Sequence, residues 1–282
     1  MTSDAATWAT VRARLAGTRF GELRVLDEVD STNRVVLDDA RAGAPEGLVV
    51  VAEHQTAGRG RLGRTWVAPP GGSLLLSVLL RPALPVERVH LVTMAAGVAL
   101  ADAVRDVAAV DATLKWPNDV LVGDRKLAGM LTEADFGPDG AVRTNAGRGR
   151  MPGTAGAEGA KGAVRAVVLG VGVNVNWGHV PDELAGLATA CDLEAGHAVD
   201  RGALLAAFLL ELDAHLRALE RVPLEYRRRL ATLGRRVRVE LSDGPLLGRA
   251  VEVDVSGRLL VEVDSGCIVE VAAGDVVHLR DA

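Results

Sequence analysis

Apolar residues along this chain gather in short, dense runs, and their spacing sorts them into two kinds. Residues 22–29, 47–53, 73–80, 126–133 and 164–175 are runs of valine, leucine and neighbouring small residues too short for helices, which predicts buried or half-buried strands. Residues 113–116 and 119–122 predict two shorter strands, separated by Pro117, which forces an extended or turn backbone. Helical spacing appears over 34–40, over 86–107 behind Pro85, and in the stripe Leu204, Leu205, Phe208, Leu209, Leu212, Leu216 and Leu219. After Gly234 the pattern changes to five β-like runs, 236–241, 247–255, 258–263, 267–271 and 276–279, broken by turn pairs such as Asp243-Gly244 and Ser256-Gly257. The chain therefore reads as an α+β unit over residues 1–233 followed by a small β-barrel over 234–282. Residues 137–162, dominated by Gly, Ala, Pro, Arg and Thr without apolar periodicity, are expected to form a flexible surface insertion.

Composition narrows the class without naming a function. The 282 residues carry 32 Lys+Arg against 37 Asp+Glu, a formal charge of −5, the wrong sign for a surface that grips nucleic acid throughout. Any basic site must be local. Two cysteines, Cys191 and Cys267, have no metal-ligand spacing and form no disulfide framework, which suits a reducing compartment. The first twenty residues lack an uninterrupted apolar stretch, so no signal peptide or membrane anchor is expected, and the expected location is the cytoplasm.

Candidate chemistry concentrates in three windows. Residues 54–86 hold Arg59, Arg61, Arg64 and Arg81 and no acid. Within them Gly58-Arg59-Gly60-Arg61-Leu62-Gly63-Arg64 combines glycines, which let backbone N–H groups approach a ligand, with guanidinium groups that donate bidentately to carboxylate or phosphate. This predicts an anion-binding loop. The same glycines spell G-x-G-x-x-G, but a dinucleotide site needs a helix directly afterwards, and Pro69, Pro70, Gly71 and Gly72 oppose one. The second window, Lys115-Trp116-Pro117-Asn118-Asp119, sets cation, amide and carboxylate around a proline turn. The third holds Lys126, Gly129 and Glu133. Regular strand alternation would place Lys126 on one face with Ala128 and Met130, away from any obvious ion-pair partner. Gly170 and Gly172 alternate in a buried strand ending at Asn174, leaving one face bare for a close approach. Ser31 and Thr32 stand where a helix N-cap belongs, and capping is the plain reading of both.

Together, Asp30-Ser31-Thr32-Asn33, the run from Gln55 through Gly58-Arg59-Gly60-Arg61-Leu62-Gly63-Arg64 to Trp66, Lys115-Trp116-Pro117-Asn118-Asp119 and Arg125-Lys126-Leu127-Ala128-Gly129 resemble the biotin protein ligases. The resemblance runs over residues 20–180, and the β-rich tail is similar to that family's small SH3-like C-terminal domain. It implies a mixed β-sheet flanked by helices, of the class II synthetase and biotinyl/lipoyl ligase kind. It further implies that biotin and ATP form biotinyl-5'-AMP, and that the biotinyl group passes to a lysine of a biotin carboxyl carrier domain of an acyl-CoA or pyruvate carboxylase.

By the same resemblance, Ser31, Thr32, Asn33, Gln55, Gly58, Arg59, Gly60, Arg61 and Lys126 would bind biotin, with Lys126 and Arg61 catalytic. Arg61, Arg64, Trp66, Lys115, Asn118, Asp119 and Asn174 would bind ATP, Trp66 packing against adenine and Asp119 assisting Mg2+. Only about thirty residues precede Ser31, too few for the DNA-binding module of some relatives, so the ligase-only type is expected. The alternatives are an enzyme like lipoate protein ligase and a biotin-binding regulator without catalysis.

Overall fold

The computed structural model describes residues 5–136, 143–144, 164–241, 244–272 and 274–279. In chain order the helices are α1 (Ala5–Leu15), α2 (Thr32–Arg41), α3 (His90–Ala108), α4 (Cys191–Ala195), α5 (Arg201–Arg217) and α6 (Val222–Arg229). The strands of the larger unit are β1 (Leu23–Val29), β2 (Val49–Gln55), β3 (Ser73–Leu80), β4 (Thr113–Lys115), β5 (Asp119–Val122), β6 (Arg125–Asp135), β7 (Arg143–Thr144) and β8 (Ala166–Asn174). Those of the smaller are β9 (Arg236–Leu241), β10 (Gly244–Val253), β11 (Leu259–Glu262), β12 (Ile268–Val271) and β13 (Asp275–His278). The stretch 137–162 lies outside the described residues apart from β7, which pairs with β6.

The larger sheet runs β1-β2-β3-β8-β6-β5-β4, parallel between β1 and β2 and antiparallel elsewhere. It is a mixed sheet flanked by helices, as expected. β3 and β8 are buried on both faces, which is why they read as near-continuous apolar runs rather than as alternation. Leu74, Leu76, Val78 and Leu80 of β3 join Leu169, Val171 and Val173 of β8 under α3 and α5 in the main core. Leu204, Phe208 and Leu212 of α5 are fully buried there, each contributing roughly 1.5–3 kcal/mol. On the opposite face α2 packs Val36, Leu37 and Ala40 over Val50, Leu79 and Val168. α2 is short, so it leaves part of this face open, and the open part is the floor of a cleft.

The second sheet has the order β12-β11-β10-β9-β13, antiparallel throughout. Val237, Val239, Ala250 and Leu259 continue the main core, so the sheet docks on the larger unit. Its β10–β11 turn meets Trp116, whose Nε1–H donates to the Gly257 carbonyl at 2.9 Å. Between the two units the fully buried Thr232 hydroxyl accepts the Trp116 backbone N–H at 3.1 Å and lies 3.1 Å from His278 Nε2.

α1, α4 and α6 add to the predicted helices. Trp8, Val11 and Leu15 give α1 a helical stripe only three residues long, and α6 buries little beyond Val222 and Tyr226. α6 is secured instead by charge, its Arg229 donating from Nη2 to both carboxylate oxygens of Asp102 on α3. No helix among the described residues is long and apolar enough to cross a membrane.

Candidate functional site

The cleft, open to solvent at its mouth, collects residues from every window singled out in the sequence. Ser31, Thr32, Asn33 and Gln55 line one end. Arg59, Gly60, Arg61, Arg64 and Trp66 form its lid, and Asn118, Asp119 and Lys126 the other end. Three expected site residues do not line it. Gly58 lies behind the lid, its carbonyl accepting the Trp66 N–H at 2.9 Å. Lys115 sits mostly buried beside the cleft, where desolvation lowers its pKa against the pull of Asp119. Asn174 spends its amide N–H groups on the backbone carbonyls of Thr189 and Lys126.

The arginine loop is an ordered hairpin. Gly60 N–H donates to the Arg64 carbonyl at 2.7 Å, Arg59 bridges Thr65, and a single 3-10 turn at Arg61–Gly63 closes the tip. Glycine is required at Gly58, where a Cβ would come within 2.7 Å of the Trp66 carbonyl. The window holds no acid, yet the fold brings a partner to each of the loop's three arginines. Arg59 meets Glu133 at 3.2 Å, Arg64 meets Asp275 of the second sheet, and Arg61 donates to Asn118 Oδ1 at 3.0 Å and the Gly274 carbonyl at 3.1 Å. Arg61 is only 7% exposed, and its pKa is lowered by desolvation while Asp119 and Asp275 oppose the shift.

Lys126 corrects the strand-alternation argument. Register between β5 and β6 shifts after Val120, so the extra residue of a bulge turns Lys126 onto the face of Gly129 rather than that of Ala128 and Met130. There its ammonium pairs with Asp119 at 2.6 Å and stands 5.4 Å from the centre of the Trp66 ring. The ion-pair partner that the sequence did not reveal is thus Asp119, seven residues upstream.

The bare glycine face accommodates side chains of the site itself. Gly129 and Gly172 pair across β6 and β8, and the Trp66 indole lies on both, so that a Cβ at Gly172 would come within 2.6 Å of the ring. Gly170 gives the same clearance to the Asn33 amide. Ser31 holds the N-cap position of α2 without a side-chain capping bond, and the Thr32 backbone N–H and hydroxyl reach Gln55 Oε1 at 2.8 and 3.2 Å. Neither hydroxyl serves as a cap, so both remain at the cleft.

Four contributors escaped the sequence reading. Ser77 carried a signal, being a polar residue inside the apolar run of β3. Glu133 was noted without a role. Gly274 and Asp275 had no signal, because only tertiary folding carries them to residues more than two hundred positions away.

The polar end, the cationic lid and the docked second sheet together enclose one cleft, with neutral hydrogen-bonding groups at one end and cations at the other. Residues 25–151 match the Biotin/lipoate A/B protein ligase family, and residues 232–279 match the Biotin protein ligase C terminal domain. The chain is 39% identical over 276 residues to the biotin--[acetyl-CoA-carboxylase] ligase of Mycobacterium tuberculosis, covering 94% of this chain and 92% of that protein. It is 32% identical over 272 residues to the bifunctional ligase/repressor BirA of Escherichia coli, covering 93% of this chain and 75% of that protein. Among solved structures, the biotin protein ligase of Aquifex aeolicus in complex with biotin and ATP superposes with a TM-score of 0.73 at 26% identity, over 93% of this chain and all of the other. The chain belongs to the biotin protein ligase family.

Proposed function

We propose that this enzyme activates biotin with ATP and transfers the biotinyl group to a lysine of a biotin carboxyl carrier domain, in an acyl-CoA or pyruvate carboxylase. A biotin carboxylate oxygen attacks the α-phosphorus, pyrophosphate leaves, and biotinyl-5'-AMP forms. The acceptor amine then attacks the acyl carbon and AMP leaves. No side chain serves as a nucleophile in either step, so the protein's task is to hold two anions together and to neutralise charge as it develops.

The single observation that carries this reading is one cleft with uncharged hydrogen-bonding groups at one end and Lys126, Arg61 and Arg64 at the other. Thr32, Gln55 and Ser31 suit a cyclic urea, which offers two N–H donors and one carbonyl. Lys126 would hold the carboxylate and the adenylate phosphate, exchanging Asp119 for them. Arg61 and Arg64 would meet the phosphates. Trp66 would cover the ligand, its indole lying on the glycine floor beside Lys126.

Magnesium binds nucleotides with one or two protein carboxylates plus phosphate and water ligands, and Asp119 with Asp275 fit that donor set. When bound, the ion would neutralise phosphate charge. A lipoyl group, whose dithiolane has no comparable donors and acceptors, would leave the polar end unpaired at about 1–3 kcal/mol for each buried group, which favours biotin. Incubation with biotin, magnesium ATP and a carrier domain tests the proposal. Mass spectrometry is expected to find the biotinyl mass on one acceptor lysine, and an unmodified carrier alongside unconsumed ATP would refute it.

A further inference from the structure

Beneath the polar end of the cleft, hydrogen-bond directions are determined by elimination. Asn33 is 4% exposed, and its amide nitrogen faces two acceptors, the Leu131 carbonyl at 3.3 Å and Glu133 Oε2 at 2.7 Å. Both its hydrogens are spent there, so Asn33 Oδ1 must accept. It lies 2.6 Å from Ser77 Oγ, which therefore gives its only proton to Asn33. Ser77 Oγ also lies 2.7 Å from Thr32 Oγ1 and, having no second proton, must accept from it. The competing acceptor for the Thr32 proton, Gln55 Oε1, is farther away at 3.2 Å and already receives the Thr32 backbone N–H.

We infer that Glu133, Asn33 and Ser77 are positioning residues that fix the Thr32 hydroxyl as a hydrogen-bond acceptor toward the cleft. Glu133 anchors the chain of bonds because a carboxylate can only accept, and its side chain is 4% exposed. Arg59 donates to the same oxygen from the lid at 3.2 Å, which pairs the buried carboxylate and ties the anchor to the loop. With its proton drawn toward the sheet, Thr32 Oγ1 presents lone pairs alone. It selects an N–H on the ligand and rejects an oxygen placed there, because two facing acceptors repel and neither recovers the water it lost. This inference rests on the biotin reading of the cleft and specifies how that cleft recognises the urea.

The test uses biotin and its two cyclic carbamate analogues, in each of which one ureido N–H is replaced by ring oxygen. Single-turnover kcat/KM for adenylate formation is measured for each. The intact protein is expected to prefer biotin over the analogue with oxygen facing Thr32 by about a hundredfold. In Ser77→Ala the Thr32 proton is released to turn toward the cleft, and the preference is expected to fall to about tenfold. Glu133→Gln keeps the shape of the side chain but can also donate, so that only the Leu131 carbonyl still opposes reversal of the series, and the preference is expected to fall part of the way. It decides the matter if Ser77→Ala fails to fold. In both variants the loss with biotin is expected in the KM for biotin and not in that for ATP. An unchanged preference, with biotin and analogue weakened equally, would overturn the inference. If the intact protein forms no adenylate from biotin at all, the reading of the cleft fails instead.

Discussion

The two ends of the cleft are assembled by different means. At the polar end Thr32, Asn33, Gln55 and Ser77 come from the start of α2 and adjacent strands of one sheet, and the bonds among them fix each donor and acceptor. At the charged end Arg61, Arg64, Asn118, Asp119 and Lys126 come from a hairpin loop, a proline turn and a bulged strand, and Gly274 and Asp275 reach in from the second sheet. Neutral groups recognise a ligand only if their directions are set beforehand, since an unpaired buried donor or acceptor costs about 1–3 kcal/mol. Charges act over longer distances and tolerate rearrangement, so separate segments can share the neutralisation of phosphate. On the proposed function, recognition falls to the hydrogen-bonded end and chemistry to the composite end.

Removing a charge from the composite end is the strongest way to break this division. Lys126→Ala is expected to lower the rate of biotinyl-adenylate formation by about 10²–10³ while the polar end still binds biotin, as read by single-turnover kinetics beside calorimetric titration. Near wild-type turnover would move the carboxylate-holding role elsewhere.

An intermediate effect should come from the floor joining the two ends. Gly172→Ala places a methyl group 2.6 Å from the Trp66 ring, and displacing the indole is expected to cost about 1–3 kcal/mol in stability and to weaken both ligands. Thermal melting and binding titrations read the two losses; a variant indistinguishable in both would show that the ring moves freely.

The smallest effect concerns the junction between the units. Burial, assisted by Lys115 and Arg235, pushes the His278 pKa down to about 4. A base whose folded pKa lies below its unfolded value of 6.5 leaves the unfolded chain holding more protons between those pH values. Its contribution to stability is therefore complete above pH 6.5 and is lost as the pH falls toward 4. His278→Gln is expected to flatten that part of the stability profile by an amount of order 1 kcal/mol, measured by denaturant titration at a series of pH values. An unchanged slope would place the imidazole in water rather than against Thr232.

Much of this architecture was legible because it is local. β3 matched its apolar run residue for residue, and the arginine loop announced itself by glycine spacing and the absence of acid. What failed was long-range or depended on an irregularity. Strand alternation pointed Lys126 to the wrong face because one extra residue in β6 reverses the count, and nothing in Lys126-Leu127-Ala128 marks a bulge. The acids that answer the arginines were invisible from the loop, since Glu133 and Asp275 arrive only when the sheets form. Gly170 and Gly172 were recognised as a bare surface, but its occupants, Asn33 and Trp66, follow from the tertiary arrangement alone. Sequence thus displayed most of the groups that line the cleft, and folding decided which of them meet.

On the proposed function, one cleft brings a biotin carboxylate and ATP together so that they react without a protein nucleophile. Rapid mixing of the protein with biotin and magnesium ATP, with pyrophosphate followed in a single turnover and no carrier present, puts this to the test. A burst of about one pyrophosphate per chain is expected, dependent on biotin and accompanied by retained biotinyl-5'-AMP. Pyrophosphate released equally without biotin, or no burst with both substrates present, would contradict it.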